Sequence, residues 1–234
     1  MIGEPRLYEP ECESTQLLLL GTDLPEGAVA LTDHQTGGRG RLGRPWVDAP
    51  ATAVLVSVLL RPPSERRAPE LTLVAALAVA EAVEAATELA AQIKWPNDVM
   101  LDRRKVAGIL AELRDGAVVL GIGVNVNQTR EQLPEDAVTP PASLRTATGH
   151  EHDRTALLER VLDRLDAAYG RWREGGLDLL YGELGARDFV RGRRVTLDGR
   201  PGTAVMTRRD GRLQIAFDDG ETATVDSGVL HVER

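Results

Sequence analysis

The sequence predicts an α+β protein in two parts, a mixed α/β portion over residues 1–187 and a small all-β portion over residues 188–234. Three observations carry that expectation. Ala53 to Leu60 is a near-continuous apolar run with the length of a strand buried on both faces. Two amphipathic helical patterns, opening at Pro69 and at Asp153, supply faces to cover a sheet. After about Asp188 the chain turns to short strands punctuated by Asp198-Gly199, Asp210-Gly211 and Asp219-Gly220, each a hairpin-turn signal.

In chain order, Ser14 is a helix N-cap candidate, with Thr15 and Gln16 in the first turn of a short helix through Leu17 to Leu20. Ala28 to Thr32 reads as a strand. It delivers the chain into a loop, Asp33 to Trp46, whose four glycines and one proline exclude a helix interior. The apolar strand Ala53 to Leu60 follows. Pro69 opens a long Ala-rich helix to about Ala90, with Leu71, Val74, Ala75, Ala78 and Val83 at helical spacing. Strands are expected over Gln92 to Trp95, Val106 to Arg114 and Val118 to Val126. Asp153 caps a second helix with its stripe on Leu157, Leu158, Val161, Leu162, Leu165, Tyr169 and Trp172, stopping at Gly175-Gly176. The short strands Arg194–Leu197, Thr203–Thr207, Leu213–Phe217, Thr222–Val225 and Val229–Val232 read as a small β-barrel.

At 42% hydrophobic and 27% charged residues the chain is too apolar to be mainly disordered. Its net charge of −8 repels phosphate polymers and anionic membranes, which argues against broad nucleic-acid binding. The apolar run Leu17 to Leu20 is too short for a signal sequence or a membrane span, so the protein is expected in the cytoplasm. The one cysteine, Cys12, allows no internal disulfide and no cysteine-rich zinc site.

The rarer polar residues are spent unevenly. Only two of the 28 basic residues are lysines, Lys94 and Lys105, and the only asparagines are Asn97, Asn125 and Asn127. All five fall between positions 94 and 127. A compact ammonium is not replaced by a guanidinium, nor a neutral amide by a carboxylate, where the chemistry needs the former.

The loop contains Gly38-x-Gly40-x-x-Gly43, formally a dinucleotide fingerprint. Pro45-Trp46 follows where a helix should start, and the apolar strand lies where the fingerprint's acidic residue should be, so that reading fails. Arg39, Arg41 and Arg44 interleaved with glycines instead suit a mobile loop that brings guanidinium forks to an anion. A solvated basic turn and an RNA contact are the alternatives, and the net charge of −8 favours a small anionic ligand. Lys94-Trp95-Pro96-Asn97-Asp98 sets a cation, an aromatic ring, an amide and a carboxylate around one proline. A nucleotide would use all of these: Lys for phosphate, Asn for a base edge, Asp for Mg²⁺. Lys105 and Asn125 stand in two further motifs, Arg104 to Leu110 and Gly121 to Asn127. Each motif alone reads equally well as an edge-strand charge or a turn amide. Together they describe an ATP-dependent acyl-activating site.

These residues resemble the biotin protein ligases, also called biotin–acetyl-CoA-carboxylase ligases. The resemblance spans Ser14-Thr15, Gln35, the Gly38-Arg39-Gly40-Arg41-x-Gly43-Arg44-x-Trp46 loop, Lys94 to Asp98, Arg104 to Leu110, Gly121-Ile122-Gly123-x-Asn125 and the C-terminal strands. Gln16 departs from it, standing where the family usually has Asn. With no helix-turn-helix ahead of the catalytic part, a repressor role is not expected.

The resemblance implies a mixed-sheet catalytic domain like that of class II tRNA synthetases over 1–187 and an SH3-like domain over 188–234. It implies two steps: the biotin carboxylate attacks the α-phosphorus of ATP to give biotinyl-5′-AMP, and a lysine of a biotin carboxyl carrier domain then takes the biotinyl group. Arg41, Arg44, Lys94 and Lys105 would be catalytic, offsetting the repulsion between carboxylate and triphosphate. Ser14, Thr15, Gln35, Gly38, Arg39, Lys105 and Gly108 would bind biotin. Arg41, Arg44, Trp46, Lys94, Asn97 and Asn125 would bind ATP, and Asp98 would hold Mg²⁺. The carrier of a biotin-dependent carboxylase is the implied partner, with no DNA and no membrane, and with room for a homodimer. A lipoate or octanoate ligase and a non-catalytic biotin-sensing regulator are the rival readings. Polar Ser14, Thr15 and Gln35 suit a ureido ring better than an alkyl chain, and intact Lys105 and Asp98 suit catalysis.

Overall fold

The computed structural model describes residues 1–233. A seven-stranded sheet is built from β1 (Arg6–Cys12), β2 (Val29–Gln35), β3 (Ala53–Leu60), β4 (Gln92–Lys94), β5 (Asp98–Leu101), β6 (Arg104–Arg114) and β7 (Ala117–Asn125). Their order is β1-β2-β3-β7-β6-β5-β4, with β1 and β2 parallel and the other neighbours antiparallel. The helices are α1 (Leu71–Thr87), α2 (Leu144–Thr148), α3 (Arg154–Gly175) and α4 (Tyr181–Ala186). Among the described residues no helix is long and apolar enough to cross a membrane.

β3 is buried at every position, as its apolar run requires, and sits between β2 and β7. The alanines of α1 let that helix lie close to the sheet and to α3 in one continuous core. A tight 3-10 turn over Ala68–Glu70 precedes α1, which closes at Glu88 with φ +59, short of the expected Ala90. α3 starts where Asp153 Oδ1 accepts from the amides of Thr155 and Ala156 and ends at Gly176, φ +67. Its buried stripe is the expected one with Ala168 added and with Leu158 only half-buried.

The Leu17 to Leu20 segment corrects the expectation. Residues 14–21 form successive turns, with Leu19 and Leu20 amides donating to the Gln16 carbonyl, and not a helix. Four consecutive leucines have no helical period. The turns bury Leu19 against Ala28, Ala30, Leu59 and Val119 in a small second cluster and leave Leu17 exposed. β1 is an exposed edge strand containing Pro10, so burial left no alternation to read in it.

A second, antiparallel sheet closes the chain: β8 (Arg194–Leu197), β9 (Arg200–Thr207), β10 (Leu213–Phe217), β11 (Thr222–Val225) and β12 (Leu230–Val232), in the order β11-β10-β9-β8-β12. Asp198 and Gly199 (φ +49 and +86) turn β8 into β9, and Gly211 and Gly220 take φ +76 and +91 at the next two turns. Val195, Ile215, Phe217 and Leu230 join the main core, so the small sheet is seated on the larger unit.

Glu70 lies at that seam, 8% exposed, its Oε2 accepting from Trp172 Nε1 at 2.7 Å. Burial holds its carboxyl above the usual glutamate range, against the hydrogen bond and nearby arginines. A raised folded-state pKa gives stability that is complete below the ordinary value and lost as pH rises through the raised one. Glu70→Gln keeps an acceptor for Trp172 without the charge. We expect a higher Tm than wild type at pH 8, with the gap closing as pH falls below the ordinary glutamate value of about 4.3.

Candidate active site

β2 ends at Gln35, and residues 36–47 fold back across the face of the sheet away from α1. The loop is tied at its base by Thr36 and Gly37 amides to the Cys12 and Glu13 carbonyls and by the Trp46 amide to the Gly38 carbonyl at 2.9 Å. His34 Nδ1 meets Asp48 Oδ2 at 2.8 Å below it, with the Asp48 side chain fully buried. A side chain at Gly38 would stand 2.5 Å from the Trp46 carbonyl oxygen, so glycine is required for the loop to close. Arg41–Gly43 forms a tight turn at the tip.

Under the loop lie two cavities. The small one, about 60 Å³, is lined by Ser14, Thr15, Gln16, Gln35, Arg39 and Gly108 among others. Gln35 Oε1 accepts from the Thr15 amide at 3.0 Å, and Thr15 Oγ1 lies 2.8 Å from Ser57 Oγ, the one polar group of β3. Gln16 Nε2 donates to the Leu110 and Val119 carbonyls, and Gly121 leaves room for it. Gly38, expected among the biotin-binding residues, is absent from this lining, because it is buried in the loop base. Arg39 lines the cavity, and its guanidinium forms a two-point pair with Glu112 of β6 at 2.8 and 3.0 Å.

The large cleft, about 540 Å³, holds Arg41, Arg44, Lys94, Asn97, Asp98 and Asn125, with walls from residues 134–139 and from Gly228 to Leu230 of the small sheet. Lys94 is 5% exposed and donates to Thr139 Oγ1 at 2.7 Å. Burial pushes its pKa down, with Asp98 opposing and the Lys105 and Arg44 charges adding to the shift. Burial likewise lowers Arg41, whose Nη1 donates to Asn97 Oδ1 at 3.3 Å. Asn97 and Asn125 anchor through their own amides to the Ile109 and Ala142 carbonyls. Asn127 has a different task, exchanging two 2.9 Å bonds with the backbone of His152 ahead of α3.

Lys105 stands where the cavities meet and lines both, as do Arg41, Trp46 and Asn97. Its Nζ is 2.7 Å from Asp98 Oδ1. The Asp98 side chain is 15% exposed and faces the large cleft. Mg²⁺ is commonly held by one or two carboxylates together with substrate phosphates, so a carboxylate on the wall of this cleft fits such an ion. The Trp46 ring lies on the glycines of β6 and β7. An added Cβ would come within 2.6 Å of the ring at Gly123 and 3.1 Å at Gly108. Gly123→Ala should therefore lift Trp46 off the sheet. Because Trp95 and Trp172 are only 2% and 0% exposed, stronger acrylamide quenching of fluorescence would report that movement.

Sequence reasoning did not find Ser57, Glu112, Thr139 or the Gly228–Leu230 wall. These residues carry no motif, and only strand register or the seating of the small sheet brings them in.

A small polar cavity and a large cleft carrying Arg41, Arg44, Lys94 and Lys105 meet at Lys105. The model of the biotin/lipoate A/B protein ligase family matches residues 11–128, and the chain belongs to that family. The biotin--[acetyl-CoA-carboxylase] ligase of Mycobacterium tuberculosis is 34% identical over 223 residues, covering 91% of this chain and 81% of that protein. The bifunctional ligase/repressor BirA of Bacillus spizizenii is 36% identical over 171 residues, 69% of this chain, which spans about half (53%) of that protein's length. The biotin protein ligase of Aquifex aeolicus, solved in complex with biotin and ATP, superposes with a TM-score of 0.88 at 32% identity, covering 99% of this chain and 100% of that one.

Proposed function

We propose that this protein is a biotin–[acetyl-CoA-carboxylase] ligase: it joins biotin to AMP and passes the biotinyl group to a lysine of a biotin carboxyl carrier domain. The observation that carries this reading is the place of Lys105 at the junction of the two cavities. In the first step the biotin carboxylate attacks the α-phosphorus and pyrophosphate leaves. Two anions must approach each other. Lys105 and Arg41 both line the two cavities; the reading gives Lys105 the contact with both anions, while Lys94, Arg41 and Arg44 offset the charge on the triphosphate. Asp98 would hold Mg²⁺, which supplies charge neutralisation at the phosphates. Ser14, Thr15 and Gln35 give the small cavity hydroxyls and an amide for the ureido ring, and Gly108 and Arg39 complete its wall. Asn97, Asn125 and Trp46 would take the adenosine. In the second step the carrier's ε-amine, having lost its proton, attacks the biotinyl carbonyl carbon and AMP leaves.

The reading assigns catalysis to residues 1–187 and treats 188–234 as an SH3-like unit that lends the cleft one wall. It sets the reaction in the cytoplasm, where ATP and the apo-carrier meet. Incubation with biotin, ATP and Mg²⁺ and mass spectrometry for biotinyl-AMP test it, with lipoate and octanoate as control acids. We expect the adenylate from biotin alone. An adenylate from lipoate or octanoate and none from biotin would replace this reading with a lipoate-type ligase.

A further inference from the structure

Lys94 to Asp98 is the tip of the β4–β5 hairpin. Lys94 pairs with Asp98 across it, and the Asn97 amide donates back to the Lys94 carbonyl at 3.3 Å. Lys94, Asn97 and Asp98 present functional groups to the large cleft, whose wall Trp95 also touches. Trp95 does something else. Its indole is 2% exposed, and Nε1 donates at 3.0 Å to the carbonyl of Gly211, 116 residues further on, in the turn between β9 and β10 of the small sheet.

That turn is itself fixed by the larger unit. Gly211 has φ +76, and a Cβ added there would come within 3.2 Å of Leu177 Cδ1 and 3.3 Å of Glu70 Cγ. The Asp210 carbonyl accepts from Arg67 Nη1 at 2.7 Å, and Arg67 Nη2 pairs with Asp226. Glu70 is held in turn by Trp172. The turn is therefore a fixed rest, and Trp95 is the residue of the hairpin tip whose side chain touches it.

We propose that Trp95 is a positioning residue for the nucleotide step: its hydrogen bond to Gly211 lets the small sheet set where the hairpin tip presents Lys94 and Asp98 to the triphosphate. This rests on the ligase reading above. Both Lys94 and Asp98 act through charge at short range, where displacement of a positioning contact is costly. Of the hairpin tip only Asn97 reaches the small cavity, and it is tied separately to the Ile109 carbonyl of β6, while Ser14, Thr15 and Gln35 stand on other elements, so binding of the acid should depend little on the rest.

Trp95→Phe removes the donor and keeps the ring packing. Gly211→Ala keeps the donor and disturbs the rest. Each is expected to raise KM for ATP and lower kcat of biotinyl-AMP formation, with a combined loss in kcat/KM of about tenfold or more. Biotin binding without ATP, read by calorimetry, should stay within about twofold. The double variant should be no worse than the poorer single, since both cut one link. A merely structural role would lower biotin affinity and Tm alongside the ATP constants, and that result would overturn the proposal. So would wild-type ATP constants in both variants. If wild-type protein makes no biotinyl-AMP, the ligase reading fails first; if it does and the variants behave as wild type, only the role of Trp95 is lost.

Discussion

Lys105→Ala is expected to slow biotinyl-AMP formation by about 10²- to 10³-fold, the usual cost of removing a preorganised group that stabilises transition-state charge. The residue lines both cavities, so its ammonium gains most as carboxylate and phosphate approach. The loss should fall on kcat more than on KM for either substrate. Lys105→Arg should rescue poorly, because a planar fork in the place of a compact ammonium cannot keep the 2.7 Å contact with Asp98 and also reach both anions. Pyrophosphate release measured at saturating biotin and ATP checks this. A near-normal rate in Lys105→Ala would remove the residue from the chemistry.

Arg41→Gly should act on the intermediate after it has formed. Arg41 joins the loop to the β4–β5 hairpin through Asn97, and Arg39 joins it to β6 through Glu112, so the loop spans the cavities between two charged ties. Loss of a charge-assisted hydrogen bond is worth about 1.5–3 kcal/mol, or roughly 10- to 100-fold in release of the bound adenylate. Adenylate should still form but escape, and lysines on bystander proteins should become biotinylated. Labelling confined to the carrier domain would show that Arg41 does not retain the intermediate.

What could be read from the sequence follows from where the physics is local. α3 was bounded in advance because Asp153 and Gly176 act within one turn of their own positions, and the small sheet because Asp-Gly pairs set their own backbone. β3 declared itself by burial on both faces. The Ser14 to Gly21 turns and the edge strand β1 did not, since the first depends on where Leu19 finds a surface and the second has almost no buried face. In the site, the scarcity of lysine and asparagine pointed to Lys94, Asn97, Lys105 and Asn125, all on the cleft. The same signal misled at Asn127, a structural tie to His152. The Glu112 partner of Arg39, the Thr139 partner of Lys94 and the Gly211 rest under Trp95 lie 73, 45 and 116 residues away, so only the folded chain brings them together.

Under the proposed function this chain activates biotin as an AMP anhydride without the carrier, at a point shared by its two cavities. Exchange of labelled pyrophosphate into ATP reads that step reversibly and needs no carrier protein. Exchange that depends on biotin, is absent with lipoate or without Mg²⁺, and collapses in Lys105→Ala is the result the account predicts. Exchange that proceeds without biotin, or none with biotin in a folded wild-type protein, would contradict it.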